Sequence, residues 1–167
     1  MTAPTRLWTC AAYLPAYRCG GWAFIRIGQG PVTGAAGGER HTTAARMALS
    51  GLLAALRDPP SEPASAGGFS IQTTSPELAP FAGFLANLGA PNPSAAPEED
   101  LDLWAQIAAA AKGRPLKLVR TPLEPRTPAA FVAAWADLAR DKAKASGPFT
   151  SAIPKPNLAK IPGLVLG

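Results

Sequence analysis

Hydrophobic and polar positions along the chain change period several times, and each change marks an element. Residues 5–12, TRLWTCAA, set Leu7 and Thr9 against Trp8 and Cys10 in strand-like alternation. Residues 21–27, GWAFIRI, keep the period of two, with Trp22, Phe24 and Arg26 on one side and Ala23, Ile25 and Ile27 on the other. Between them, residues 13–21 hold a proline and two glycines and read as a loop. The glycine-rich run that follows leaves room for a turn and a short third strand at 32–35. The period then lengthens. Met47, Leu49, Leu52, Leu53 and Leu56 recur near helical spacing, Thr42 or Thr43 offers a capping hydroxyl, and Asp58-Pro59-Pro60 stops the helix.

Residues 68–75, GFSIQTTS, predict a fourth strand, and 76–88 a helix broken near Pro80. Acidic residues from Glu98 to Asp102 suit the positive end of a further helix, which carries Leu101, Trp104, Ile107 and Ala108 and ends at Gly113. PLKLVRT predicts a fifth strand. Thr127-Pro128 opens a last helix with Phe131, Trp135 and Leu138 as its core face. The order predicts an α/β domain over residues 1–145, with a five-stranded mixed sheet whose first three strands are antiparallel and the rest parallel. Residues 146–167 read as a proline-rich, basic, extended C-terminal tail.

Composition narrows the function classes. The 167 residues are 47% hydrophobic, enough for one real core. No apolar run is long enough to span a membrane, so no membrane partner is expected. The first residues lack a basic stretch followed by an apolar one, and the expectation is a cytoplasmic chain. Cys10 and Cys19 are too few for a disulfide framework, and with His41 alone they make no zinc set, so no cofactor is expected. His41 reads as a polar residue before the helix. The glycine-rich stretch lacks the Lys-Ser or Lys-Thr ending of a phosphate loop. Net charge +5 permits a nucleic-acid partner, although the basic residues are scattered.

The spellings inside these elements add a resemblance. "GGWAFI" in the second strand, "TTAARMALSGLLAAL" from Thr42 to Leu56, "IQTTS" from Ile71 to Ser75, "DLW" from Asp102 to Trp104, "LKLVRT" and "WADLAR" from Trp135 to Arg140 follow one another in order. Together, over about residues 5–145, they resemble the ribonuclease H family. That resemblance implies a ribonuclease H-like fold and cleavage of the RNA strand of RNA–DNA hybrids by two divalent metals held on four carboxylates. Two hard cations clamp the attacking water and the leaving oxygen, and magnesium asks for oxygen ligands.

Carried over residue by residue, the four carboxylate positions fall on Cys10, Ala48, Thr74 and Ala136. None is an acid. Of the 11 acidic residues none precedes Glu39, so the first strand has no substitute. Asp137 lies beside the fourth position, where a one-residue shift turns a helix by about 100° and aims the side chain elsewhere. Glu77 reaches the site only if the fourth strand ends differently. Two asparagines with which the family reads its hybrid are replaced by Ala44 and Ala45. Thr43 and Arg46 persist as candidate phosphate contacts, with a helix cap and a solvated arginine as their plainer readings. Arg120, Arg126 and Arg140 complete the candidate nucleic-acid-binding set.

The expectation is thus a catalytically inactive ribonuclease H-like domain that binds RNA, DNA or their hybrid. The alternative is a protein-interaction or structural module, using the altered cleft and the tail, where Pro154, Pro156 and Pro162 alternate with Ile153, Leu158 and Ile161. An active hybrid nuclease stands third.

Overall fold

The computed structural model describes residues 5–28, 32–57, 68–86, 97–111 and 116–161. β1 (Thr5–Leu14), β2 (Cys19–Ile27) and β3 (Thr33–Arg40) precede α1 (Ala44–Arg57). β4 (Phe69–Thr73), a 3₁₀ turn (Ala79–Phe81), α2 (Ala82–Ala86), α3 (Leu101–Ala111) and β5 (Leu116–Arg120) follow. The described chain closes with α4 (Pro128–Ser146), β6 (Phe149–Ala152) and the single turn α5 (Lys155–Leu158). The sheet order is β5-β4-β1-β2-β3-β6. β4 and β5 run parallel beside β1, whereas β2, β3 and β6 pair antiparallel.

Strand alternation decides which side each residue serves. Leu7, Trp22, Phe24, Phe69, Ile71 and Leu116 face α1, α2 and α3 in one core. Ala23, Ile25 and Cys10 face α4 in the other. Arg26 falls on the first side, as its place in the alternation requires. It is buried, and its guanidinium donates to the Ala55 carbonyl of α1 at 3.1 Å and lies over the Phe69 ring. A hydrogen bond to a charged donor offsets part of the cost of removing that charge from water.

Several boundaries differ from the sequence expectation. Residues 13–21 are mostly strand, because Leu14 pairs with Cys19 and only residues 15–18 turn, with Arg18 at φ 51°. The third strand runs on to Arg40 because its glycines pair fully with β2. The helix expected over 76–88 is a 3₁₀ turn containing Pro80 plus the short α2, and residues 87–88 lie outside the described residues. In α3, Leu101 and Ala108 are exposed, and Leu103, Trp104, Ile107 and Ala111 are buried instead. The expected stops at Asp58-Pro59-Pro60 and Gly113 also lie outside the described residues.

The largest corrections concern the C-terminal region. Leu138 is 61% exposed, while α4 buries Ala129, Val132, Ala136, Ala139 and Ala143. The cause lies in the sheet beneath. A Cβ on Gly21 would stand 2.3 Å from the Arg140 nitrogen, and one on Gly38 would stand 2.7 Å from the Ala143 Cβ. Helix backbone rests on glycine backbone, and only alanine fits between. Phe131 and Trp135 flank this contact, half-buried. The second correction is to the tail. Its residues 149–152 form a sixth strand paired with β3, and Ile153, Leu158 and Ile161 are buried against the α4 side of the sheet.

Candidate functional site

Parallel strands leave a crevice beyond their carboxyl ends, where the chain departs toward its next helix. Here Thr9 of β1 pairs with Thr73 of β4, so the residues that follow, Cys10 and Thr74, stand side by side. The Thr74 hydroxyl donates to Cys10 Sγ at 3.0 Å. The Thr121 amide continues the β4–β5 pairing by donating to the Thr73 carbonyl at 2.8 Å. Over these ends opens a cleft of about 640 Å³. Cys10, Thr74 and Ala12 line its floor strands, Arg120 to Leu123 one wall, and Ala133, Asp137 and Arg140 of α4 the other.

Two of the four carried-over positions therefore meet in the cleft. Ala48 and Ala136 are packed instead: Ala48 is 2% exposed in the core under α1, and Ala136 is fully buried beneath α4. Asp137 lines the cleft, contrary to the expectation that its neighbour's place would be the inward one. The helix phase explains this. Ala136 sits on Gly21, so the stripe 133, 137, 140 turns toward the β1–β4 ends. That stripe was visible as two charged residues four and seven positions after an alanine.

Burial pushes the Cys10 thiol above its usual value, the Thr74 hydrogen bond opposes this, and the negative charges of Asp137 and Glu77 raise it further. Cys10 consequently stays protonated at neutral pH, a poor nucleophile and a poor ligand. Glu77 lies in the turn after β4. It is close enough for its charge to act on Cys10, yet it lines a separate hollow with Leu49, Phe81 and Trp104. Among the described residues, the side-chain donors facing the cleft are thus a thiol, two hydroxyls and one carboxylate. A pair of magnesium ions asks for several carboxylate oxygens, and these residues do not fit it. Among the described residues no group of three or more His, Cys, Asp or Glu side chains is arranged to hold a metal ion.

The basic candidates divide in the same way. Arg120 and Arg140 line the cleft. Arg140 also holds Asp141 at 3.1 Å and Asp137 at 3.5 Å. Arg126 is exposed in the turn before α4, at φ 60°, outside the cleft lining. Thr43 is a helix cap, accepting from the Arg46 amide at 3.1 Å. His41 is exposed ahead of that cap, at φ 54°. Arg46 is committed elsewhere: its guanidinium grips both carboxylate oxygens of Asp102, at 3.0 and 2.9 Å, and Asp100 at 3.0 Å. This fork joins α1 to the start of α3.

The Arg46 guanidinium holds the Asp102 carboxyl down at about 2. A carboxylate depressed on folding stabilises the fold above its ordinary value, near 4, and loses that contribution as pH falls toward 2. The thermal midpoint of Asp102→Asn should accordingly lie below that of the parent by a constant margin above pH ~4, and the margin should close toward pH ~2. A margin independent of pH across that window would contradict the pairing.

No family model matches the sequence, and no curated protein matches it. Solved structures do. LC9-RNase H1, a type 1 ribonuclease H with the type 2 active-site motif, superposes with a TM-score of 0.64 at 18% identity, covering 96% of this chain and 82% of that one. The N-terminal ribonuclease H domain of Rv2228c from Mycobacterium tuberculosis gives 0.63 at 14% identity, over 87% of this chain and 99% of that one. LC11-RNase H1, solved in complex with an RNA/DNA hybrid, gives 0.64 at 17% identity, over 83% and 98%. The chain has a ribonuclease H-like fold, with the sixth strand added at the β3 edge.

Proposed function

We propose that this chain is a nucleic-acid-binding module built on a ribonuclease H-like scaffold, whose cleft holds a phosphodiester backbone without cutting it. The observation that carries this reading is the make-up of the cleft. Where the two-metal chemistry needs carboxylates it has Cys10 and Thr74, with Arg120 and Arg140 on its walls. A phosphate needs positive charge beside it, and without metal ions the arginines supply that charge. A guanidinium is always ionised and matches two phosphate oxygens at once. Arg140's contact with Asp137, at 3.5 Å, is the weaker of its two ion pairs, and an entering phosphate displaces it first.

Further support comes from the net charge of +5 and from the hybrid bound by the structurally similar LC11-RNase H1. The reading as a protein-docking module is weakened, since Ile153, Leu158 and Ile161 are buried within the fold.

Fluorescence anisotropy of labelled oligonucleotides tests the proposal. The logarithm of affinity should fall linearly with the logarithm of salt concentration, by about 0.9 for each phosphate neutralised. Removing Arg120 should reduce that slope by about one. Failure of single-stranded, duplex and hybrid probes alike to bind at low salt would end the proposal.

A further inference from the structure

Among the described residues, α4 leaves the β4–β5 part of the sheet uncovered. α4 packs on β1, β2 and β3. On that same side, β4 presents Ser70, Gln72 and Thr74, and β5 presents Lys117 and Val119, since Ile71 and Leu116 fill the opposite core. Val119 is 41% exposed, Lys117 is exposed, and Ser70 and Gln72 are half-buried. Trp8 of β1 stands across from Gln72, half-buried, with the Arg6 guanidinium 5.1 Å from its ring centroid. Gln72 donates its amide to the Ser70 hydroxyl at 3.2 Å, and its Oε1 is buried without a hydrogen-bond partner among the described residues. β1, β4 and β5 contain no acidic residue, and on this side they carry Arg6 and Lys117.

This face is continuous with the cleft. The row Arg6, Trp8, Cys10 and the row Ser70, Gln72, Thr74 both run at period two into it. A chain lying in the cleft passes next over Trp8 and Gln72. The face spans two strand spacings, roughly 10 Å, enough for one or two bases laid flat. Its charge fits phosphate, and its aromatic ring fits a base plane. Bases in a duplex are stacked on each other and offer no plane to Trp8. Unpaired bases do, and aromatic rings on a flat sheet accept any of the four.

We propose that the α4-side face of β4 and β5, bordered by Trp8 of β1, binds single-stranded nucleic acid, with an unpaired base stacked on Trp8 and the adjoining phosphate on Lys117. This rests on the cleft reading and makes its ligand specific: an unpaired strand ahead of a duplex or hybrid.

Three probes of equal length separate the two claims: labelled dodecathymidine, the same strand paired with DNA, and the same strand paired with RNA. Dodecathymidine should bind at least about tenfold more tightly than either paired form. Trp8→Ala should weaken it about tenfold or more, Trp8→Phe should restore most of the loss, and Lys117→Glu, at an exposed position, should weaken it with an unchanged thermal midpoint. Equal binding of all three probes, unaffected by Trp8→Ala and Lys117→Glu, overturns this inference and leaves the cleft reading standing. Absence of binding by every probe at low salt overturns both. Displacement of dodecathymidine by poly-glutamate at equal charge concentration assigns the face to acidic polypeptide and overturns the inference.

Discussion

Gly21→Ala should cost about 3 kcal/mol or more and lower the thermal midpoint by roughly 6–12 °C. The added methyl would lie 2.3 Å from the Arg140 nitrogen, 2.6 Å from the Ala136 carbonyl oxygen and 2.8 Å from the Ala139 carbonyl carbon. All three are backbone atoms of α4, so no rotamer relieves the clash. The helix must lift, and Val132, Ala136 and Ala139 lose their contact with Ala23 and Ile25. Lifting α4 also moves Asp137 and Arg140, so nucleic-acid affinity should fall with stability. Gly83→Ala is the matched control. It lies in α2, and a Cβ there meets nothing within 4 Å. Alanine is the better helix former, and the change should be neutral or stabilising by up to about 1 kcal/mol. Thermal melts of the two variants check the account of how α4 is seated, and equal, small shifts would refute it.

Arg120→Gln combined with Arg140→Gln should weaken nucleic-acid binding a hundredfold or more. Hydrogen bonds to charged groups contribute about 1.5–3 kcal/mol each, which is about tenfold to a hundredfold per arginine. Arg120 is exposed, and Arg140's ion pairs on α4 are largely in solvent, so the fold should tolerate both changes. Arg46→Gln should behave differently. Its partners are Asp100 and Asp102, not the cleft, so it should lower stability and leave affinity unchanged. Titrations of the three proteins with one labelled strand distinguish these outcomes.

Much of this architecture is legible in the residue pattern, for identifiable reasons. Trp22, Phe24 and Arg26 share a face because period two admits no other arrangement, and even the buried arginine obeys it. Thr43 announces α1 and Thr127 announces α4 through cap bonds that depend only on local spacing. Leu138 is exposed because size is no guide to burial here. Across from Gly21 and Gly38 there is room only for alanine, and that fact resides in β2 and β3, about a hundred positions away. The signal for β6 is similarly remote. Phe149–Ala152 is a four-residue stretch flanked by prolines, and its pairing with Ala35 to Gly38 has no local signal.

The site was legible only in part. Cys10 and Thr74 were singled out by the resemblance, and the Thr9–Thr73 register brings them together. Local spacing shows Arg46 no partner, because Asp100 and Asp102 lie 54 and 56 positions later. Helix phase excludes Asp137 only if Ala136 faces the cleft, whereas the packing on Gly21 makes Ala136 inward to the sheet.

The central claim is a cleft that holds nucleic acid and does not cut it. One titration bears on both halves. A hybrid labelled on its RNA strand is incubated with the highly purified protein at low salt, with magnesium or manganese, while anisotropy and strand length are followed together. The account predicts binding that weakens steeply as salt is added, with the RNA strand intact throughout. Metal-dependent shortening of the RNA, abolished by Cys10→Ala or Asp137→Asn, would contradict it.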